Sequence, residues 1–194
     1  MGPVVAFSPH VAADPAVLVS LSTIRFPKMQ ESLQRVLDAT AGLDARVVVT
    51  TGPVIDPASL RSAGNHELHR FVPHAELMPS MSLVVGHGGH ATTMQALDHD
   101  LPVVVMPMHP LLDQKMVGRS VEQAGAGRLV SKKAPAQQLR AVVSELLDDG
   151  PHRQAAARLG EQIRAMPGAV NGADQVEALL RNGAGAPGPP AARR

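Results

Sequence analysis

Two polar clusters stand where chemistry is readily placed, each just after an apolar run. The first is His87-Gly88-Gly89-His90-Ala91-Thr92-Thr93, which follows Val84-Val85-Gly86. The pattern predicts a buried strand, a glycine-rich turn and the opening of a helix. Such a turn lets the backbone approach a ligand closely. It also aims free N–H groups and a helix N-terminus at one spot, which suits a phosphate. His87 sits where its ring can donate to a phosphate oxygen. Thr92 and Thr93 fall in the first helical turn, where hydroxyls and free N–H groups both bind anions. The second cluster, Asp113-Gln114, follows Val103-Val104-Val105-Met106 and a proline-marked loop over residues 107–112, containing Met108 and His109, that would lie over the ligand. A carboxylate beside an amide can accept from and donate to sugar hydroxyls. Two such clusters at successive strand ends imply one ligand with a phosphate end and a polyhydroxyl end.

Each cluster also has a plain structural reading. The glycine turn is a tight strand-to-helix link with a capping threonine, and Asp113 caps the helix after it. Both readings can hold for one residue. Ser20, Ser22 and Thr23 follow the first strand. Ligands of open parallel sheets bind beyond the carboxyl ends of the strands, so these hydroxyls can reach a phosphate; otherwise they solvate a loop. Of the nine histidines, His87 and His90 are three apart, but no carboxylate stands with them in a recognised ligand spacing. No metal site is expected. His66 and His69 are expected on a solvated strand edge, Lys132-Lys133 as a solvated pair, and Asp148-Asp149-Gly150-Pro151 as a helix stop and restart. Arg61 and Arg70 carry no interpretable pattern.

The elements that must position these residues follow from hydrophobic periodicity. Strands are predicted over 17–21, 46–50, 67–72, 82–86, 102–106 and 128–130. Helices are predicted over 31–41, 91–98, 114–124, 135–147, 151–166 and 172–181. Strands alternating with helices argue for an α/β fold, a Rossmann-like doubly wound parallel sheet of about six strands. The strand runs are apolar throughout, as expected when helices cover both faces. Residues 1–15 read as a leader or linker, 16–182 as the folded domain, and 183–194, rich in Gly, Ala and Pro, as a disordered tail.

Composition narrows the function further. With 194 residues the chain can bury a full core. A net charge of +1 gives no electrostatic reason to expect nucleic acid, and 2% aromatics, with no Trp or Tyr, supply no base-stacking platform. The absence of Cys excludes disulfides, thiolate metal sites and a cysteine nucleophile. No apolar run has the length of a membrane span, and the N-terminus lacks the pattern of a signal peptide, so a cytoplasmic protein is expected.

These motifs resemble the C-terminal half of family 1 glycosyltransferases of the GT-B fold, especially bacterial enzymes that decorate macrolides and other secondary metabolites. The resemblance spans residues 17–180. It rests on Val17-Leu18-Val19-Ser20-Leu21-Ser22-Thr23, Arg70-Phe71-Val72-Pro73-His74, His87 through Thr93, and Pro107 through Asp113-Gln114, in that order. It implies that His87, with the backbone of Gly89, Ala91 and Thr92, contacts the donor diphosphate, approached also by Ser22 and Thr23. It implies that Phe71 and Val72 flank the nucleobase, that Gln95 stands where a Glu usually binds the ribose, and that Asp113 and Gln114 hold hydroxyls of the transferred sugar. Two further departures are Val117, where the family often has Asn, and Ala91, where it commonly has Gly.

The resemblance further implies an inverting transfer from a UDP- or dTDP-sugar to an acceptor hydroxyl. The acceptor and the catalytic base belong to an N-terminal half, beginning before a linker that Met1-Gly2-Pro3 resembles. No catalytic residue is therefore expected in this chain, and its partners are the nucleotide-sugar and an N-terminal acceptor domain or subunit. Alternatives are a non-catalytic nucleotide-binding module, the donor subunit of a split glycosyltransferase, or a sugar-nucleotide epimerase of the same architecture. No cofactor is expected. An interdomain face around His87, Met108 and Leu111-Leu112 is expected to be exposed and able to form a homodimer.

Overall fold

A computed structural model describes residues 15–148, 150–166 and 168–183. The expected leader up to residue 14, Asp149 of the predicted helix stop, and the expected tail beyond Gly183 lie outside the described residues. The strands are β1 (Ala16–Ser20), β2 (Arg46–Thr50), β3 (His66–His69), β4 (Leu83–Gly86), β5 (Val103–Val105) and β6 (Gly127–Leu129). The helices are α1 (Met29–Thr40), α2 (His74–Leu77), α3 (His90–Asp98), α4 (Gln114–Gln123), α5 (Ala136–Leu147), α6 (Pro151–Ala165) and α7 (Gly168–Gly183). No described helix is long and apolar enough to cross a membrane.

Valine-rich runs favour strands because branched side chains pack well on a pleated surface. Among the described residues they build one six-stranded sheet in the order β3-β2-β1-β4-β5-β6, with every pairing parallel. The order runs outward from β1 to β3 and from β4 to β6, so the winding reverses between β1 and β4. This is the doubly wound α/β fold read from the sequence. Alternate strand residues feed opposite layers. Val17, Val19, Val49 and Val85 join Leu33 and Leu37 of α1 and Leu139 and Val143 of α5. Leu18, Val48, Val84 and Val105 join Ala96 and Leu97 of α3, Val121 of α4 and Ala155 of α6.

Strand register decides which loops can meet. Ser20 pairs with Thr50 on one side and Gly86 on the other. The carboxyl ends of β1, β2 and β4 are therefore level.

Several expectations change. The third strand is shorter than 67–72, ending at His69. Gly52 N still donates to Arg70 O at 2.9 Å, and residues 71–72 lie beyond that bond. The helix α2 and the single 3-10 turns Pro57–Ser59 and Met78–Ser80 are too short to register as periodicity. The last helix opens at Gly168, ahead of the predicted start at 172. His66 and His69 are half-buried rather than solvated, and His66 Nε2 lies 3.1 Å from Thr40 Oγ1 at the end of α1. Lys132 is not a free surface cation. Its Nζ donates to Met108 O at 2.6 Å and to Pro27 O at 3.4 Å, tying the loop after β1 to the loop after β5.

Candidate functional site

The level ends of β1, β2 and β4 open onto a cavity of about 380 Å³. It lies at the reversal of winding between β1 and β4, the position where open α/β sheets bind ligands. Ser22 and Thr23 reach it from the loop after β1, and Phe71 and Val72 from the loop after β3. His87 closes it beside β4, while Ala91, Thr92 and Gln95 line it from α3. Gly89, Asp113 and Gln114 do not line this cavity.

Gly88 has φ 88°, and a Cβ there would lie 2.7 Å from the Gln114 carbonyl oxygen. The turn is therefore pressed against the start of α4. Gly89 supports His87 from behind, since a Cβ at Gly89 would stand 2.7 Å from His87 Nε2. On its other flank His87 meets the Phe26 ring at a centroid distance of 6.4 Å, and Phe26 in turn meets His109 at 6.0 Å. Burial pushes the His87 pKa below its ordinary value, and the nearby Asp113 carboxylate works against that shift. A neutral imidazole at this place keeps one N–H to donate.

The amino end of α3 has no side-chain cap; Gly89 occupies the cap position. The expected capping threonine is not found. Thr92 Oγ1 lies 3.4 Å from His74 Nδ1, and His74 Nε2 lies 3.4 Å from Thr50 Oγ1. Burial pushes the His74 pKa down, so a neutral ring bridges the ends of β2 and α3. Thr93 is buried and presents no hydroxyl to the cavity. The first-turn amides of α3 thus have no side-chain cap. Ser22 already accepts from Ile24 N at 2.9 Å.

Asp113 and Gln114 form a second polar point. Asp113 precedes α4 in a helical conformation with no side-chain bond to that helix, so it is not the expected cap. Its Oδ2 instead lies 2.8 Å from His90 Nε2. Gln114 is buried, and its Oε1 accepts from Met108 N at 2.7 Å and His109 N at 3.1 Å. The carbonyl shapes the 106–109 loop, while the amide NH2 has no protein acceptor among the described residues.

A larger groove, about 850 Å³, runs along the start of α1. It mixes Arg25, Lys28 and Arg61 with Glu31 and Asp38 and collects none of the expected site residues. Among the described residues, no three His, Cys, Asp or Glu side chains gather as a metal ion requires.

The model of the erythromycin biosynthesis protein CIII-like C-terminal domain matches residues 34–179. This chain belongs to that family. The domain is 31% identical over 169 residues to the NDP-glycosyltransferase YjiC of Bacillus licheniformis, covering 86% of this chain and 42% of that protein. It is 36% identical over 149 residues to tylactone mycaminosyltransferase of Streptomyces fradiae, covering 73% of this chain and 32% of that protein. The crystal structure of CalG4, the calicheamicin glycosyltransferase, matches with a TM-score of 0.80 at 26% identity, covering 93% of this chain and 45% of that one. The chain thus spans less than half the length of these relatives, and its fold is the C-terminal half of the GT-B type.

Within this GT-B domain Gln95, Ala91 and Val117, singled out by the sequence, fall in different places. Gln95 is exposed on the cavity wall and Ala91 lies beside it. Val117 is buried on α4 and lines a separate apolar cleft between α3 and α4. Sequence reasoning passes over His74, Thr50, Arg70 and Phe26. Thr50 ends β2, and the rule that finds Ser20 applies to it equally. His74 closes the Arg70–His74 motif, which by itself gives the ring no role. Arg70 lines the cavity and pairs with Asp56 at 3.2 Å. Phe26 lies too far along its loop for any spacing to place it against His87.

Proposed function

We propose that this chain is the donor-binding half of an inverting glycosyltransferase. Residues 16–182 hold a UDP- or dTDP-sugar for transfer to an acceptor hydroxyl, which is held by an N-terminal domain or subunit outside these residues. The observation that carries the reading is the gathering of Ser22, Thr23, Phe71, Val72, His87, Thr92 and Gln95 around one cavity at the switch between β1 and β4. The name of the Bacillus relative, an NDP-glycosyltransferase, supports the donor class.

The geometry supports a role for each residue. Phe71 is 74% exposed and offers a free ring face to a nucleobase, with Val72 behind it. Gln95 bonds a ribose hydroxyl as a neutral amide, without the charge assistance of a carboxylate. The free amides opening α3, with Gly89, Ala91 and Thr92, receive the diphosphate together with His87, Ser22 and Thr23. As the acceptor oxygen attacks the anomeric carbon, the bond to the diphosphate oxygen breaks and negative charge grows on the leaving group. The helix end and the His87 N–H stabilise that charge. Asp113 and Gln114 hold the sugar in line. The acceptor proton goes to a base in the other half. The diphosphate is met by protein donors, so binding needs no metal ion.

Replacing His87 by Ala tests the diphosphate role. Affinity for UDP or dTDP is expected to fall about tenfold, the value of one charge-assisted hydrogen bond. Unchanged affinity in a folded variant removes His87 from the site.

A further inference from the structure

The contact between His90 and Asp113 joins the two polar clusters. Asp113 stands where an aspartate ordinarily caps a helix, yet makes no such bond. Its Oδ2 is held by His90 Nε2 at 2.8 Å instead. The side chains are 64% and 50% exposed, a setting in which an ion pair adds little to stability. The pair therefore gains little in the fold. What it does achieve is to fix a carboxylate.

The atoms left over indicate the use. With Oδ2 engaged, Asp113 keeps Oδ1, which has no protein partner among the described residues. Gln114, with its carbonyl committed to the Met108 and His109 amides, keeps its NH2. One fixed acceptor and one fixed donor on adjacent residues match neighbouring hydroxyls of a sugar ring.

We infer that His90 is a positioning residue for the donor sugar: it holds the Asp113 carboxylate so that Oδ1 accepts from a sugar hydroxyl. The inference rests on the donor-binding reading. The His90 side chain does not line the cavity proposed for the nucleotide. Its removal frees the Asp113 side chain to rotate, which costs recognition of the sugar and spares recognition of the nucleotide.

The test is calorimetric titration of the native chain, His90→Ala and His90→Gln with UDP, UDP-glucose, dTDP and dTDP-glucose. His90→Ala is expected to weaken the bound nucleotide-sugar about tenfold, the worth of one charge-assisted hydrogen bond, while leaving the bare diphosphate unchanged. His90→Gln is expected to recover most of the loss, because its amide can donate to Asp113. Equal loss for sugar and bare diphosphate, no loss for either, or no recovery by His90→Gln overturns the inference alone. It is also overturned, with the donor reading left standing, if the native chain binds a bare diphosphate but neither nucleotide-sugar. Native chain that binds none of the four overturns the donor reading and this inference with it.

Discussion

At His87, burial and the proposed ligand act on the same proton in opposite directions. Burial pushes the pKa of His87 below 6.5, as it does for His66 and His74. A depressed histidine pKa means that the unfolded chain binds protons first on acidification. The stability from these three groups is thus complete above about pH 6.5, the unfolded value, and is lost as pH falls below it. The unliganded chain is expected to show a falling urea midpoint from about pH 7 to about pH 5.5, with an unchanged slope. A bound diphosphate reverses the effect at His87 alone, since a nearby anion favours the charged ring. Affinity for UDP is then expected to rise over the same range. Proton uptake on binding, measured in buffers of different ionisation enthalpy, checks it. The place of His87 at the cavity was legible because a histidine in a glycine turn after an apolar run stands at a strand end; its phosphate role is a proposal. The place of His74 was not legible, because its link from Thr50 to Thr92 crosses three separate segments.

The element on which the site depends is β4 with its turn and α3. Gly88 is the tight point, at φ 88° and with the Gln114 carbonyl and Val105 Cγ1 in the way of any Cβ. Gly88→Ala combines backbone strain with overpacking and is expected to cost about 3 kcal/mol of stability in denaturant unfolding. A loss below about 0.5 kcal/mol would show that the turn is free to relax. The strands were legible for a physical reason. Central parallel strands are covered on both faces, so they read as unbroken apolar runs such as Val47-Val48-Val49. The edge strand β3, His66-Glu67-Leu68-His69, follows no such rule, and its end was misplaced. Its limit is set by the bonds it makes to β2 and on to Gly52 N from Arg70 O, a tertiary fact. Asp113 was read as a cap because local sequence favours one; its backbone is helical, at φ −65° and ψ −8°, rather than extended as a cap needs, and its carboxylate meets His90, 23 residues earlier.

For the whole molecule, the question is which surfaces are left over. Met108 is fully buried and His87 half-buried, so neither forms the exposed face expected of them. Leu111 and Leu112 do, at 86% and 46% exposure. An N-terminal half, or a second copy of the chain, is the proposed cover for them. Sedimentation over a wide concentration range is expected to show self-association that Leu111→Ser weakens; a monomer throughout removes the second copy. The central claim is that the level ends of β1, β2 and β4 hold a pyrimidine nucleoside diphosphate. Its most direct test is calorimetric titration of the native chain with UDP and dTDP, with ADP as control. Saturable binding of UDP or dTDP, with ADP much weaker, is the predicted result. Equal binding of all three, or binding of none, would contradict it.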